Sequence, residues 1–129
     1  MIVDASALCA ILLNESDGAA FAKAIARARK FLISPLQVWE TCVSVSRELS
    51  GDRSDQVNLA IDSFRIEIAD LGSRETLLAL EAWRRFGKGR HPAGLNLGDC
   101  FAYALAKSRG LPLLYKGDDF SKTDVRPAI

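Results

Sequence analysis

The sequence predicts an α/β fold, a sandwich in which helices cover a mainly parallel central sheet of four to five strands. Short apolar segments typical of buried strands alternate with helical segments along the chain, which is the order of a parallel sheet with helical crossovers. Helix-start signals follow several of these apolar segments. No repeat, linker or low-complexity segment interrupts the alternation, so we expect a single domain over residues 1–129.

The first third of the chain predicts two strands and two helices. Residues 1–4, MIVD, read as a short buried strand, and the helix after it has Ser6 as a candidate N-cap. A second helix begins at Ser16 or Asp17 and carries apolar residues at helical spacing. Residues 31–34, FLIS, form the second predicted strand.

The segment SPLQ carries the clearest helix-start signal in the chain. Ser34 suits the N-cap, Pro35 suits the first helical position, and Gln37 is placed to complete a capping box. The predicted helix carries Glu40 and runs towards Gly51.

The rest of the chain repeats the same alternation of helices and strands. The predicted elements are a helix from the mid-fifties to Phe64, a strand over 65–71, a helix capped by Ser73 and ending near Phe86, a loop over 87–94, a helix capped by Asn96 and ended by Gly110, a strand over 112–116, and an edge strand over 124–129.

Composition and charge exclude several classes of protein. Apolar residues make up 49% of the chain and charged residues 26%, and the formal net charge is +1. Overall charge therefore does not predict nucleic-acid binding, although a local basic patch could still provide it. The three cysteines have no zinc-site spacing and are expected to be small buried thiols in a reducing compartment. No signal peptide or long apolar run is present, so we expect a cytoplasmic protein without a membrane span.

Five acidic residues end predicted strands or lie at the start of the helices that follow. Asp4 ends the first strand, Glu40 lies near the second turn of its helix, and Asp99 lies in the first turn of its helix. Asp118 and Asp119 follow the fourth strand. Ligands bind outside the carboxyl ends of parallel strands, so we expect these side chains to meet at one edge of the sheet.

Clustered carboxylates of this kind predict a site for a hard divalent cation. Unpaired carboxylates repel one another, and Mg²⁺ or Mn²⁺, which prefer oxygen ligands, remove that repulsion. The chemistry indicated is phosphodiester hydrolysis. Each acid also has a structural interpretation, with Asp99 as a helix cap and Asp118 or Asp119 as a turn residue. Glu40 is the hardest to explain structurally, because its neighbours in VWETCV are almost all apolar.

A basic segment, RRFGKGRHPAG, lies shortly before Asp99 in the sequence. It is interpreted either as a solvated helix end with a flexible loop, or as a phosphate-binding rim beside the acidic pocket. The candidate RNA-binding residues are Arg84, Arg85, Lys88 and Arg90.

Four segments of the chain stand in a characteristic order. They are MIVDASAL at the start, VWETCV around Glu40, LNLGDCFAYALAKSRGLPLLYKGDDF over residues 95–120, and the trailing TDV. Together they resemble the PIN-domain ribonucleases and, more closely, the VapC toxins of bacterial type II (VapBC) toxin–antitoxin pairs. The resemblance covers essentially the whole chain.

The resemblance implies a Rossmann-like α/β/α PIN fold and an Mg²⁺- or Mn²⁺-dependent endoribonuclease. By position, Asp4, Glu40 and Asp99 match three acids of the family. The fourth acid is Asp118 or Asp119, because many members have asparagine at the position of Asp118.

The resemblance also implies supporting residues and partners. Ser6 matches a small hydroxyl position that supports the site, and Asn96 matches a polar position just before the third acid. A structured RNA substrate such as tRNA, a cognate VapB-type antitoxin and a homodimer are expected for the same reason.

Two other classes of function fit parts of the sequence. An aspartyl phosphotransferase or phospho-receiver would use Asp4 together with Lys116, but the segment DAS lacks the second acid of a DxD motif. A catalytically silent PIN-like RNA-binding or scaffold module is the alternative to the nuclease. The presence of all the acids disfavours that alternative.

Overall fold

The computed structural model describes residues 1–129 and has the alternating order that the sequence predicts. The strands are β1 (Ile2–Val3), β2 (Leu32–Ile33), β3 (Glu67–Ile68) and β4 (Leu113–Leu114). The helices are α1 (Ala5–Leu12), α2 (Gly18–Arg27), α3 (Pro35–Glu48), α4 (Ser54–Ser63), α5 (Ser73–Phe86) and α6 (Leu97–Arg109), and a 3₁₀ turn covers Phe120–Lys122. The predicted α/β class is confirmed.

The four strands form one parallel sheet in the order β3-β2-β1-β4. The predicted fifth strand is reduced to a single bridge between Leu113 and Pro127. Around that bridge the Leu113 N–H donates to the Arg126 carbonyl at 2.9 Å, and the Ala128 N–H donates to the Leu113 carbonyl at 2.9 Å. Pro127 has no N–H to donate, which limits pairing at this edge.

The core has two halves, one on each face of the sheet. Ile2 of β1 and Leu113 of β4 belong to a cluster that includes residues of α5 and α6. Val3 and Leu114 belong to a second cluster with residues of α1, α2, α3 and α4. Successive strand residues point to opposite faces, so β1, β2 and β4 each contribute one residue to either half, whereas both residues of β3 are exposed. This is the predicted α/β/α sandwich.

Two helix starts differ from the prediction by one or two residues. Asp4, in extended backbone, is the N-cap of α1 and accepts the Ser6 N–H at 3.0 Å, so the expectation that Ser6 is the cap is wrong. The N-cap of α5 is Gly72 rather than Ser73. The Glu75 carboxylate accepts the Gly72 N–H at 3.0 Å and satisfies that helix end.

Several predictions about surface and core residues are also decided. Trp39 and Trp83 are 63% and 43% exposed, so neither tryptophan belongs to the core. All three cysteines are free thiols; Cys100 is buried, whereas Cys9 and Cys42 are half-buried. No helix has both the length and the apolar character needed to cross a membrane.

Candidate active site

A pocket of about 390 Å³ is lined by residues at or near the carboxyl ends of β1 and β4 and by residues of α3 and α6. The strand order β3-β2-β1-β4 reverses at β1, and such a switch point is where open α/β sheets bind ligands. Lys116 is the one cationic residue in the lining. Six carboxylate residues line this acidic pocket: Asp4, Glu15, Glu40, Glu48, Asp99 and Asp119.

Asp4 is buried, with 4% of its surface exposed, and its carboxylate is held in place by Ser6. Both the backbone N–H and the hydroxyl of Ser6 donate to Asp4 Oδ2. The Ser6 hydroxyl oxygen also accepts the Lys116 N–H at 3.0 Å. Ser6 therefore ties the end of β1 to the segment after β4, in the supporting position expected from the sequence. Burial raises the pKa of Asp4, and the hydrogen bonds from Ser6 partly oppose that rise.

Glu40 enters the pocket from the second turn of α3, where that helix meets α6. Ser34 caps α3 by accepting the Gln37 N–H at 3.2 Å, as predicted. The Gln37 side chain does not complete a backbone capping box: it accepts the Ser34 hydroxyl and donates through Nε2 to the Gly98 carbonyl at 2.7 Å. Gln37 is fully buried, so this bond fixes α3 against α6 beside Glu40.

Gly98 is a site residue that sequence reasoning missed. A Cβ added to Gly98 would collide with Glu40 Oε2, so a larger residue there would force that carboxylate to move. Glycine within a helix costs roughly 0.5–1 kcal/mol relative to alanine. Its occurrence in the first turn of α6, next to Asp99, was the signal available in the sequence.

Asp99 is both a helix-capping residue and part of the pocket. The Asn96 side chain accepts the Asp99 N–H at 2.9 Å, and the Asp99 carboxylate accepts the Asn96 N–H at 2.8 Å. The predicted N-terminus of α6 is therefore confirmed, and Gly110 ends the helix in the left-handed region with φ 64°. The positive end of the helix dipole faces Asp99 and favours its ionised form.

The carboxylates of the pocket disfavour one another's ionisation. Burial, together with the charges of Asp4 and Asp99, raises the pKa of Glu40 to about 7. Burial raises the pKa of Asp99 to about 6, and the charges of Asp4 and Asp119 add to the rise. The hydrogen bond from the Asn96 N–H acts in the opposite direction. Negative charge is thus concentrated where a cation would be stabilised.

The two neighbouring aspartates after β4 have different surroundings. Asp119 lines the acidic pocket and its charge reaches Asp99. Asp118 does not line the pocket; its charge acts on Tyr115, and its carbonyl accepts the Ser121 hydroxyl at 2.6 Å. The structure therefore brings Asp119, and not Asp118, into the lining of the acidic pocket.

The basic residues predicted as a rim lie elsewhere. None of the four lines the acidic pocket: Arg84, Arg85, Lys88 and Arg90. Arg85 forms ion pairs with Glu81 and Asp124, each at 3.2 Å. The Arg90 guanidinium lies 4.0 Å from the centroid of the Trp83 ring. These four residues are therefore not part of the pocket lining, although Lys88 lines a groove that shares Asn96 with it.

A second, apolar groove of about 420 Å³ lies between α5 and α6. Trp83, Leu97 and Phe101 are among its lining residues, and Lys88 lines it as well. Asn96 lines both this α5–α6 groove and the acidic pocket, so the two depressions adjoin.

The donor chemistry of the acidic pocket fits a hard divalent cation. Its candidate ligands are carboxylate, amide and hydroxyl oxygens. Cys9 also lines the pocket, but burial and the charges of Asp4, Glu40 and Glu15 raise the pKa of its thiol to about 11, so it is no thiolate ligand. No three His, Cys, Asp or Glu side chains converge closely enough to form a ready ligand set. Mg²⁺ commonly uses one or two carboxylates and retains several waters, so the pocket suits it.

Comparison with known proteins identifies the family. The PIN domain model matches residues 1–126, and the chain belongs to the PIN domain family. Ribonuclease VapC42 of Mycobacterium tuberculosis is 39% identical over 129 residues, covering 99% of this chain and 98% of that protein. Ribonuclease VapC of Mycolicibacterium smegmatis is 38% identical over 125 residues, covering 97% of each chain. The resemblance to PIN-domain ribonucleases of the VapC type is confirmed.

A solved structure shows the same fold. The crystal structure of Mycobacterium tuberculosis VapC20, described as a sarcin–ricin loop cleaving toxin, matches with a TM-score of 0.76 over 98% of both chains. Its sequence is 16% identical, so this match concerns the fold alone.

Proposed function

We propose that this chain is a single-domain Mg²⁺- or Mn²⁺-dependent endoribonuclease toxin that hydrolyses RNA phosphodiesters in the acidic pocket. The observation that carries the proposal is that Asp4, Glu40, Asp99 and Asp119, from four separate segments, line one pocket. The names of the VapC relatives support RNA as the substrate.

The proposed mechanism assigns a role to each side chain. Asp4, Asp99 and Asp119 supply the oxygen ligands, and Ser6 fixes the orientation of Asp4 through two hydrogen bonds. A divalent cation, when bound, neutralises the phosphodiester and lowers the pKa of the attacking water. Glu40, which lines the same pocket, accepts the proton of that water as a general base. Water attacks phosphorus as its proton passes to Glu40, the bond to the leaving oxygen breaks, and that oxygen takes up a proton from solvent.

The substrate is proposed to be tRNA or another structured RNA. The test is incubation of the purified chain with bulk tRNA and with a sarcin–ricin loop hairpin, each in Mn²⁺, Mg²⁺ or EDTA. We expect discrete cuts in at least one RNA with Mn²⁺ or Mg²⁺ and none in EDTA. Binding of RNA in EDTA without cleavage in either metal would contradict the nuclease and favour the catalytically silent RNA-binding module.

We also propose two protein partners, a VapB-type antitoxin and a second copy of this chain. The VapC names of the relatives support the antitoxin. Leu77, Leu80 and Trp83 recur every three residues along α5 and are 68%, 42% and 43% exposed. Leu97, 68% exposed at the start of α6, adds to this apolar face. Large exposed apolar patches mark interaction sites, and we assign this face to the second copy.

A further inference from the structure

Lys116 is the one cationic residue that lines a pocket with six carboxylates. It lies two residues beyond β4, and its backbone N–H donates to the Ser6 hydroxyl at 3.0 Å. Ser6 in turn donates to Asp4, so the backbone of Lys116 is fixed relative to the buried carboxylate. The position of this lysine is therefore set by the same bonds that organise the site.

The Lys116 ammonium group forms an ion pair with Glu15, which also lines the pocket. Glu15 follows α1, and its own N–H donates to the Ala10 carbonyl at 2.9 Å. The side chains of Lys116 and Glu15 are 38% and 35% exposed, so the pair is open to solvent. Exposed ion pairs contribute little to stability, because each charge is also well solvated when apart. An incoming anion can therefore displace Glu15 from Lys116 with little loss of protein stability.

Two arginines of the basic segment before Asp99 are already engaged by other side chains. Arg85 is neutralised by Glu81 and Asp124, and Arg90 lies over Trp83. An RNA phosphate that enters the acidic pocket meets repulsion from its carboxylates, and Lys116 is the cation within the pocket that can oppose it.

We propose that Lys116 is a phosphate-binding residue of the site and that Glu15 occupies it until a phosphate of the RNA takes its place. This inference rests on the proposed ribonuclease function, since it names a group that holds the substrate of that reaction. The occupant is a phosphodiester anion, and Glu15 is its internal competitor.

The test measures the affinity of the full chain for labelled bulk tRNA in EDTA, where binding is separated from cleavage. The variants are Lys116→Gln, Lys116→Arg, Glu15→Gln, Glu48→Gln and the double variants Lys116→Gln/Glu15→Gln and Lys116→Gln/Glu48→Gln. Glu48 is the matched control, because it lines the same pocket but forms no ion pair. The hydrogen bond from Lys116 to Ser6 belongs to the backbone and survives each substitution.

We expect Lys116→Gln to weaken binding several-fold and to reduce the slope of log affinity against log salt by about 1. Lys116→Arg keeps the charge and most of the affinity. Glu15→Gln tightens binding more than Glu48→Gln does, because it frees the lysine as well as removing a charge. In the Lys116→Gln background this excess disappears, and the two glutamate substitutions have equal effects.

Two results would overturn the inference. One is an unchanged affinity and salt slope in Lys116→Gln, and the other is an excess effect of Glu15→Gln that persists without the lysine. Cleavage of the same tRNA and of the sarcin–ricin hairpin by the wild-type chain in Mn²⁺ is measured in parallel. If the wild type cleaves either RNA and Lys116→Gln binds as the wild type does, the inference alone fails. If the wild type cleaves neither RNA in Mn²⁺ or Mg²⁺, the proposed function fails and the inference falls with it.

Discussion

At the scale of single residues, Asp118 and Asp119 differ in surroundings although they are adjacent in the chain. Asp119 lines the acidic pocket, whereas Asp118 does not. A change from aspartate to asparagine keeps the size of the side chain and removes its charge. The two neighbouring positions therefore provide a matched pair of variants.

We predict that Asp119→Asn lowers kcat/KM for RNA cleavage in Mn²⁺ by roughly tenfold or more, since it removes a charged oxygen ligand from the proposed site. Asp118→Asn should stay close to the wild type. The measurement is the initial rate on a labelled RNA that the wild type cleaves. A larger loss in Asp118→Asn than in Asp119→Asn would move the fourth acid to the other aspartate.

The sequence was sufficient to identify the acids that have no acidic neighbour and that follow a strand or lie early in a helix. Asp4, Glu40 and Asp99 each follow or open an identifiable strand or helix, so their convergence follows from parallel topology. The choice between Asp118 and Asp119 depends on the course of one turn, which local sequence does not specify. The ion pair between Arg85 and Asp124 could not be predicted either, because Asp124 comes from a distant segment of the chain.

At the scale of elements, the contact between α3 and α6 positions two of the acids. The Gln37 amide bonds to the Gly98 carbonyl across this contact, and Glu40 occupies the space that a side chain at position 98 would fill. The space for the Glu40 carboxylate at this contact is therefore provided by a glycine, a residue that helix propensity alone would disfavour.

We predict that Gly98→Ala lowers the cleavage rate by roughly tenfold or more, because the added Cβ displaces the Glu40 carboxylate on which proton transfer depends. Gly72→Ala is the control, since its Cβ would meet Glu75 Oε2 only at an ordinary 3.6 Å. Rates on RNA in Mn²⁺ are compared with urea unfolding of both variants. Full activity in Gly98→Ala would show that the position of Glu40 does not matter for catalysis.

The element order could be predicted from the sequence, but several element ends could not. Alternating apolar strands and capped helices are local patterns, and the caps at Ser34 and Asn96 were read correctly from them. The α1 cap was misplaced at Ser6, because two residues of a capping type, Asp4 and Ser6, follow the first strand with one alanine between them. The fifth strand is reduced to one bridge at Pro127, whose neighbours Arg126 and Ala128 make both of its hydrogen bonds to β4.

At the scale of the whole molecule, the acidic pocket links stability to pH. Glu40 has a folded-state pKa of about 7, above its ordinary value of 4.5. Between these pH values the folded state binds more protons than the unfolded state, so the contribution of Glu40 to stability is lost as the pH rises. The contribution is fully present below pH 4.5 and gone above about pH 7.

We predict that Glu40→Gln raises the melting temperature of the metal-free protein more at pH 8 than at pH 5, because glutamine cannot ionise. Thermal unfolding in EDTA, followed by circular dichroism, gives the difference in melting temperature between the variant and the wild type at each pH. In saturating Mn²⁺ at pH 8 this increase in melting temperature should shrink or reverse, since a cation bound beside Glu40 stabilises its ionised carboxylate. Equal differences at both pH values in EDTA would contradict the coupling of Glu40 to the pocket.

The apolar face of α5 carries a prediction about assembly. Leu77→Glu should convert the proposed dimer to a monomer, because it places a charge in the apolar interface. Leu59→Glu on α4 is the control, because Leu59 is as exposed as Leu77 (66% against 68%) but lies on a different helix. Light scattering coupled to size-exclusion chromatography gives the mass of each. A dimer that survives Leu77→Glu but not Leu59→Glu would place the interface on α4.

The central claim is that carboxylates brought together from separate segments carry out metal-dependent RNA cleavage. Asp99→Asn tests it most directly, because asparagine can still accept the Asn96 N–H that caps α6 while it removes the charge. The measurement is cleavage of labelled tRNA and of the sarcin–ricin hairpin by the wild type and by Asp99→Asn, in Mn²⁺ and in EDTA. The account predicts cuts by the wild type in Mn²⁺ alone and a loss of at least about tenfold in the folded variant. Equal cleavage by both proteins, or cleavage in EDTA, would contradict it.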